Sequence, residues 1–266
     1  MIDTVREQLY TLKLPGIADN LVFRIEQALK GNMSHIEFLQ SILEDEKVRR
    51  DKKTYTLRWK YAEINPSKSL ENFDFSFQPA IDKQQIVNLC KCDFISEKGK
   101  ILLIGRPGCG KSHCAAAIGL KALEKGFHVY RIKAKKLVNQ LLQTKQTGTQ
   151  EAYIKKLLKL DFIIIDDFAL RQYPEGGSGE LQGLLDELDE QVAVAITTNR
   201  DFIHWEPFFD DKTIASAFTD RAVHNGTIVR IIGGRSYRTK NYERIDQGED
   251  QVDDDESDDA KEVTDN

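Results

Sequence analysis

ILLIGRPGCGKSHCAAAIGL, residues 101–120, is the stretch on which the fold turns. ILLIG (101–105) is a short apolar run that suits a buried strand, and KSHCAAAIGLKALEK (111–125) has the spacing of a helix. Between them GRPGCGKS (105–112) fits G-x-x-x-x-G-K-[ST] without a mismatch. Glycines let such a backbone curl until successive N–H groups point at phosphate oxygens, and the helix that follows adds its positive N-terminal end. Gly105, Arg106, Pro107, Gly108, Cys109, Gly110, Lys111, Ser112 and His113 are therefore the candidate nucleotide-binding segment. Lys111 is expected to reach the β- and γ-phosphates of ATP, and Ser112 to ligate magnesium. A plain glycine turn between strand and helix is the competing reading, against which the strand-before, helix-after context stands.

Outward from this loop, apolar strands alternate with helices. FHVYRI (127–132), DFIIIDD (161–167), VAVAITTN (192–199) and GTIVRII (226–232) read as strands. AKKLVNQLLQTK and TQEAYIKKLLKL, between the second and third strands, read as two helices. That alternation predicts an α/β fold with a parallel sheet covered on both faces. Asp166 emerges at the C-terminal end of IIIDD, where open α/β sheets bind ligands, and is the second candidate magnesium ligand. Asp167, next to it, is placed to orient or deprotonate an attacking water. Asn199, closing the next strand, is a candidate for positioning that water; an asparagine closing a strand-to-loop turn is the plainer alternative.

Composition is uneven along the chain. The formal net charge is -5, yet residues 246–266 hold eleven acidic residues and one lysine, which leaves residues 1–245 at +5. The tail has almost nothing to bury and reads as disordered. No apolar run is long enough to span a membrane and no signal segment opens the chain, so a cytoplasmic protein is expected. The spacing of the four cysteines includes no Cys-x-x-Cys pair, so reduced thiols are expected rather than a metal site. Four regions follow: a helical N-terminal domain (1–64), a turn-rich linker (65–80), an α/β domain that carries the phosphate loop (81–245) and the acidic tail (246–266). Ser34 and Glu37 predict a capping box, followed by Ile36, Leu39 and Leu43 at helical spacing. Phe73, Phe75 and Phe77 alternate in the linker, which suits an extended segment packing one face on the core.

KVRRDKKTYTLRWK (47–60) carries seven positive charges and one negative charge. Arg49, Arg50, Lys52, Lys53, Arg58 and Lys60 are the candidate contacts to double-stranded DNA, and Lys133, Lys135 and Lys136 of KAKK are a second basic source, to which a DNA-facing role comes only from a resemblance to initiator-type AAA+ proteins. Tyr55 and Trp59 are expected to pack rather than stack on bases. A solvated helix face, its charges partly paired with Glu44, Asp45 and Glu46, is the alternative.

GRPGCGKSH, IIIDDFALR, ITTNRDFIHW, the DR of FTDRAVH, and GRSYR fall in the order and spacing of the IstB-like transposition helper ATPases, which this sequence resembles from about residue 10 to 242. These belong to the AAA+ class and are kin of the helicase loader DnaC. LKLPGIADNL and SLENFDFSFQP also look like this family. The resemblance implies a P-loop AAA+ ATPase domain behind a small helical domain, ATP and Mg2+ as cofactors, homo-oligomers with ATP at subunit interfaces, and a cognate transposase as partner. It implies that Arg221 is an arginine finger reaching the nucleotide of a neighbouring subunit, for which an ion pair with a neighbour such as Asp220 is the alternative. Arg238 matches a second arginine sensor. Two departures stand out: EGGSGE (175–180) suggests a more mobile loop after the Asp-Asp strand, and Asn225 stands where a second basic residue is common. The runner-up function is a helicase loader; a small-molecule kinase is a third possibility.

Overall fold

The computed structural model describes residues 1–170, 172–233 and 235–237. Arg238 and the acidic tail lie outside the described residues. Three helices open the chain: α1 (Ile2–Thr11), α2 (Pro15–Gly31) and α3 (His35–Ala62). Pro15 occupies the first turn of α2, where its missing N–H costs nothing. Ser34 and Glu37 form the expected capping box, with Glu37 accepting from the Ser34 N–H at 2.8 Å and Ser34 Oγ accepting from the Glu37 N–H at 3.3 Å. Gly16 lets α2 and α3 cross closely, since a Cβ there would meet Glu46 Cα at 2.7 Å. The buried Glu46 accepts from the Gly16 N–H at 2.7 Å. Ile36, Leu39 and Leu43 do lie on a helix, but they are exposed rather than packed.

The chain then passes through a 3₁₀ turn (Pro66–Lys68) and two short helices, α4 (Lys83–Leu89) and α5 (Asp93–Ser96). There follow β1 (Lys100–Gly105), α6 (Lys111–Glu124), β2 (Val129–Lys133), α7 (Ala134–Gln146) and α8 (Gln150–Leu157). The described part closes with β3 (Phe162–Phe168), α9 (Gly177–Leu188), β4 (Ala193–Thr198), α10 (Lys212–Val223) and β5 (Gly226–Ile231). The five strands are parallel in the order β2-β3-β4-β1-β5.

Side chains of a strand alternate between faces, and both faces here are apolar. Leu102, Ile104, Ile163, Ile165, Val194 and Ile196 pack on one side with α7, α9 and α10. Ile101, Leu103, Phe162, Ile164, Ala193 and Ala195 pack on the other with α4 and α6. Ala62 and Ile64, at the exit of α3, are buried in that second layer, and Trp59 packs against it. Tyr55 stays exposed.

Two sequence expectations need correction. EGGSGE does not make a loose loop: Gly176 caps α9 and residues 177–180 form its first turn. Ser178 Oγ donates to Asp210 Oδ2 at 2.5 Å and Gly177 lies against Val138, which fixes that turn. The Phe73–Phe77 segment is not an extended strip, since residues 75–77 form a turn, but the expected core packing holds for two of its rings: Phe73 is buried in the second layer and Phe75 packs against it. Phe73 and Phe77 also flank Tyr237, with ring centroids 5.4 and 4.7 Å away.

Candidate functional site

The loop between β1 and α6 has the geometry that its glycines allow. Gly108 and Gly110 have φ of +80° and +102°, a region that other residues enter at a cost. A Cβ on Gly110 would also meet the Phe73 ring at 2.7 Å. α6 starts at Lys111 with no side-chain cap, so its first N–H groups stay available to an anion. A cavity of about 420 Å³ opens there, lined by Pro107, Gly108, Gly110, Lys111, Ser112 and His113 from the loop and helix. Asp167 and Asn199 line it from the ends of β3 and β4.

Within the loop the predicted residues divide by role. Lys111 Nζ donates to the carbonyls of Gly105 and Arg106 at 2.7 and 2.9 Å, and burial pushes its pKa down. The Arg106 side chain is exposed, whereas Cys109 is buried against Gly105. His113 Nε2 lies 2.8 Å from the Ser69 carbonyl and its ring packs edge-on to Phe73. Burial lowers its pKa, although the bond to Ser69 works in the other direction.

Asp166 is buried, with Oδ1 accepting from Ser112 Oγ at 2.8 Å and from Thr197 Oγ1. Its other oxygen accepts from the Arg131 guanidinium. Burial raises the carboxyl's pKa, but the Thr197 bond, the Arg131 charge and the Ser112 bond outweigh it and hold the group below the ordinary carboxylate range. Consecutive residues of a regular strand point to opposite faces. Asp167 still reaches the cavity because the β3–β4 register shifts between Ile165 and Phe168, with Asp167 at φ +58°. Its N–H donates to Thr197 Oγ1 at 3.0 Å, and Lys133 approaches its carboxylate at 3.4 Å.

Ser112 and Asp166 thus present hard oxygen atoms side by side, the donor chemistry that magnesium prefers, next to a cradle of N–H groups suited to phosphates. The residues present fit both cofactors. Lys68, Arg131, Thr197 and Tyr237 were missed by the sequence reading, although Thr197 and Tyr237 fall inside the quoted TTN and GRSYR. The Tyr237 N–H donates to the Gly108 carbonyl at 3.0 Å, which brings Tyr237 against the loop.

Arg221 lies elsewhere. It pairs with Asp186 at 2.9 Å and Asp189 at 2.6 Å rather than with Asp220. Asp189 also takes Lys100, the first residue of β1. That is the N-terminal end of the strands, opposite the loop and about 17 Å away along β1. Asn225 sits at φ +53° in the turn into β5, a conformation that asparagine tolerates well.

The basic segment is only partly free. Arg49 pairs with Asp19, Arg50 with Glu46 at 2.7 Å, and Arg58 contacts His128 at 3.3 Å. Lys136 pairs with Glu63 at 3.0 Å. Lys52, Lys53, Lys60 and Lys135 are exposed and have no ion pair among the described residues.

Among the described residues no helix is long and apolar enough to cross a membrane. A protein of insertion sequence IS5376 from Geobacillus stearothermophilus, named for ATP binding, is 32% identical over 240 residues, 90% of this chain and 95% of its own. Its counterpart from insertion sequence IS21 of Pseudomonas aeruginosa is 31% identical over 232 residues, 87% of each chain. Domain III of the Thermotoga maritima replication initiation protein DnaA superposes with a TM-score of 0.53 at 20% identity, over 72% of this chain and 78% of its own. DnaI gives 0.53 at 16% identity, over 64% and 95%. These two likenesses establish the AAA+ fold. The description "IstB-like ATP binding protein" matches residues 7–244, from the first helix through the GRSYR segment. With the phosphate loop, the Asp-Asp strand and nearly the whole chain aligned, this protein belongs to the IstB-like ATP binding protein family.

Proposed function

We propose that this chain is a transposition helper: an ATP-hydrolysing protein that assembles on duplex DNA and delivers the target to a transposase. The observation that carries the reading is the convergence of Lys111, Ser112, Asp167 and Asn199 on one cavity, with Asp166 hydrogen-bonded to Ser112 at 2.8 Å. Lys111 would leave the loop carbonyls for the phosphates. Ser112 and Asp166 would hold magnesium, which when bound supplies positive charge to the phosphate oxygens. Asp167 would orient and deprotonate the attacking water, with Asn199 fixing its position.

Arg221 is too far from its own cavity to act there, which favours a finger offered to a neighbour's nucleotide. A guanidinium supplied in this way is worth about 10³–10⁵ in rate in other nucleotide hydrolases. Assembly would then be a condition of turnover. Lys52, Lys53, Lys60 and Lys135 would meet DNA phosphates, weakly in one subunit and strongly in an array, because linked sites raise avidity without new contacts. The insertion-sequence relatives support the transposase as partner.

The reading is tested by measuring ATP turnover with and without duplex DNA. Stimulation by duplex, abolished in Lys111→Ala and Asp167→Asn, is expected. Preference for single strands together with capture of a helicase would instead make the chain a loader.

A further inference from the structure

Four cations surround Asp166 and Asp167 at the end of β3, and three are engaged. Arg131 holds Asp166, Lys133 lies 3.4 Å from Asp167, and Lys111 donates to two loop carbonyls. The fourth is Lys68, the last residue of the 3₁₀ turn after α3. It is half-buried and lines the nucleotide cavity beside Lys111, Ser112, Asp167 and Asn199. Among the described residues no carboxylate pairs with it. A cation removed from water without a counter-ion is costly unless an anion arrives.

The turn that carries Lys68 is anchored on both sides. Asn65 Oδ1 accepts from the Ser67 N–H at 3.0 Å, and the Ser69 carbonyl meets His113 Nε2 at 2.8 Å. The backbone of Lys68 is therefore fixed against α6, within reach of the cavity. Its electrostatic neighbours are Arg131, Asp166, Asp167 and Lys133, all at the strand ends. That is the end of the cavity at which Asp167 and Asn199 would meet the terminal phosphate.

We infer that Lys68 is a phosphate-binding residue supplied in cis by the linker, contacting the terminal phosphate of a bound nucleoside triphosphate. The inference rests on the phosphate-loop reading above. It has a structural consequence: Ala62 ends α3 six positions before Lys68, so a triphosphate would pull directly on the segment joining the basic helix to the sheet. The linker would report triphosphate against diphosphate without any group from a neighbouring subunit.

The test is equilibrium titration of the full chain with fluorescent ATP and ADP analogues, with and without magnesium. Wild type is compared with Lys68→Met, Lys68→Gln, Lys68→Arg and Lys111→Ala, and each variant's melting temperature is recorded without nucleotide. A charge-assisted bond is worth about 1.5–3 kcal/mol, so ATP affinity should fall about ten- to hundredfold in Lys68→Met and Lys68→Gln. ADP affinity should change much less, nucleotide-free melting should not fall and should rise slightly in Lys68→Met, and Lys68→Arg should recover most of the ATP binding. Wild-type ATP affinity in Lys68→Met and Lys68→Gln, or equal losses for ATP and ADP, would overturn the inference and leave the phosphate-loop reading intact. Failure of wild type to bind ATP would overturn both.

Discussion

Arg131 donates from β2 to the buried carboxylate of Asp166 on β3, and Lys133, two residues further along the same face, approaches Asp167. One strand therefore supplies a cation to each member of the Asp-Asp pair. Arg131 holds the oxygen of Asp166 that Ser112 and Thr197 leave free, while its own Nε is buried without a hydrogen-bond partner. The guanidinium keeps an otherwise isolated charge in the interior compensated.

Breaking this pair should be felt most without ligand. In Arg131→Met, Asp166 keeps its place but loses its counter-charge, and one-sided removal of a buried pair costs about 3–5 kcal/mol. Urea unfolding should show a loss of about 3 kcal/mol for the nucleotide-free protein and a smaller loss with saturating ATP and magnesium. Equal losses in both conditions would mean that Arg131 does not compete with the cofactor for Asp166.

Much of this site was legible because its parts are local. GRPGCGKS names its own turn, helix start and lysine within eight residues. IIIDD announces a buried strand with acids at its end, and TTN a neighbouring one. Arg131 and Lys68 were not legible, for a physical reason: their meaning depends on β2 lying beside β3 and on the linker folding back over α6. Sheet order and linker path are properties of the packed chain, not of a window. Phe73, Phe75 and Phe77 misled on geometry, though Phe73 and Phe75 do pack on the core. Period-two spacing implies one face only when the backbone is extended, and here it turns at residues 75–77.

Acid should loosen the helical region in a traceable way. Arg24 donates to both oxygens of Asp45, at 2.8 and 2.7 Å. This bonding, opposed by burial and aided by the Arg24 charge, holds the Asp45 carboxyl below its ordinary value. A depressed carboxylate contributes stability above its unfolded value, near pH 4, and loses it as pH falls through the folded value. Thermal melts between pH 6 and pH 2.5 should decline less steeply in Asp45→Asn than in wild type. Parallel curves would remove Asp45 from the account.

The free lysines of α3 should carry the salt dependence of DNA binding. Replacing Lys52, Lys53 and Lys60 with alanine should flatten the plot of log affinity against log salt by about 0.9 for each phosphate that is no longer neutralised. Arg49→Ala and Arg50→Ala should do less, because Asp19 and Glu46 already engage those groups. The reverse ranking would place the DNA on another surface.

A finger acting between subunits can be complemented. Arg221→Ala should retain ATP binding and lose duplex-stimulated turnover, as should Asp167→Asn. Mixing the two should restore part of the activity, because some interfaces then pair an intact Asp167 cavity with an intact Arg221. No recovery at any ratio would reduce Arg221 to its ion pairs with Asp186 and Asp189.

The most direct test is electron microscopy of the purified chain on long duplex DNA at low ionic strength, with magnesium and a non-hydrolysable ATP analogue. The account predicts regular multi-subunit arrays along the DNA that dissolve when ADP replaces the analogue. Isolated single subunits on the duplex under saturating nucleotide would contradict it.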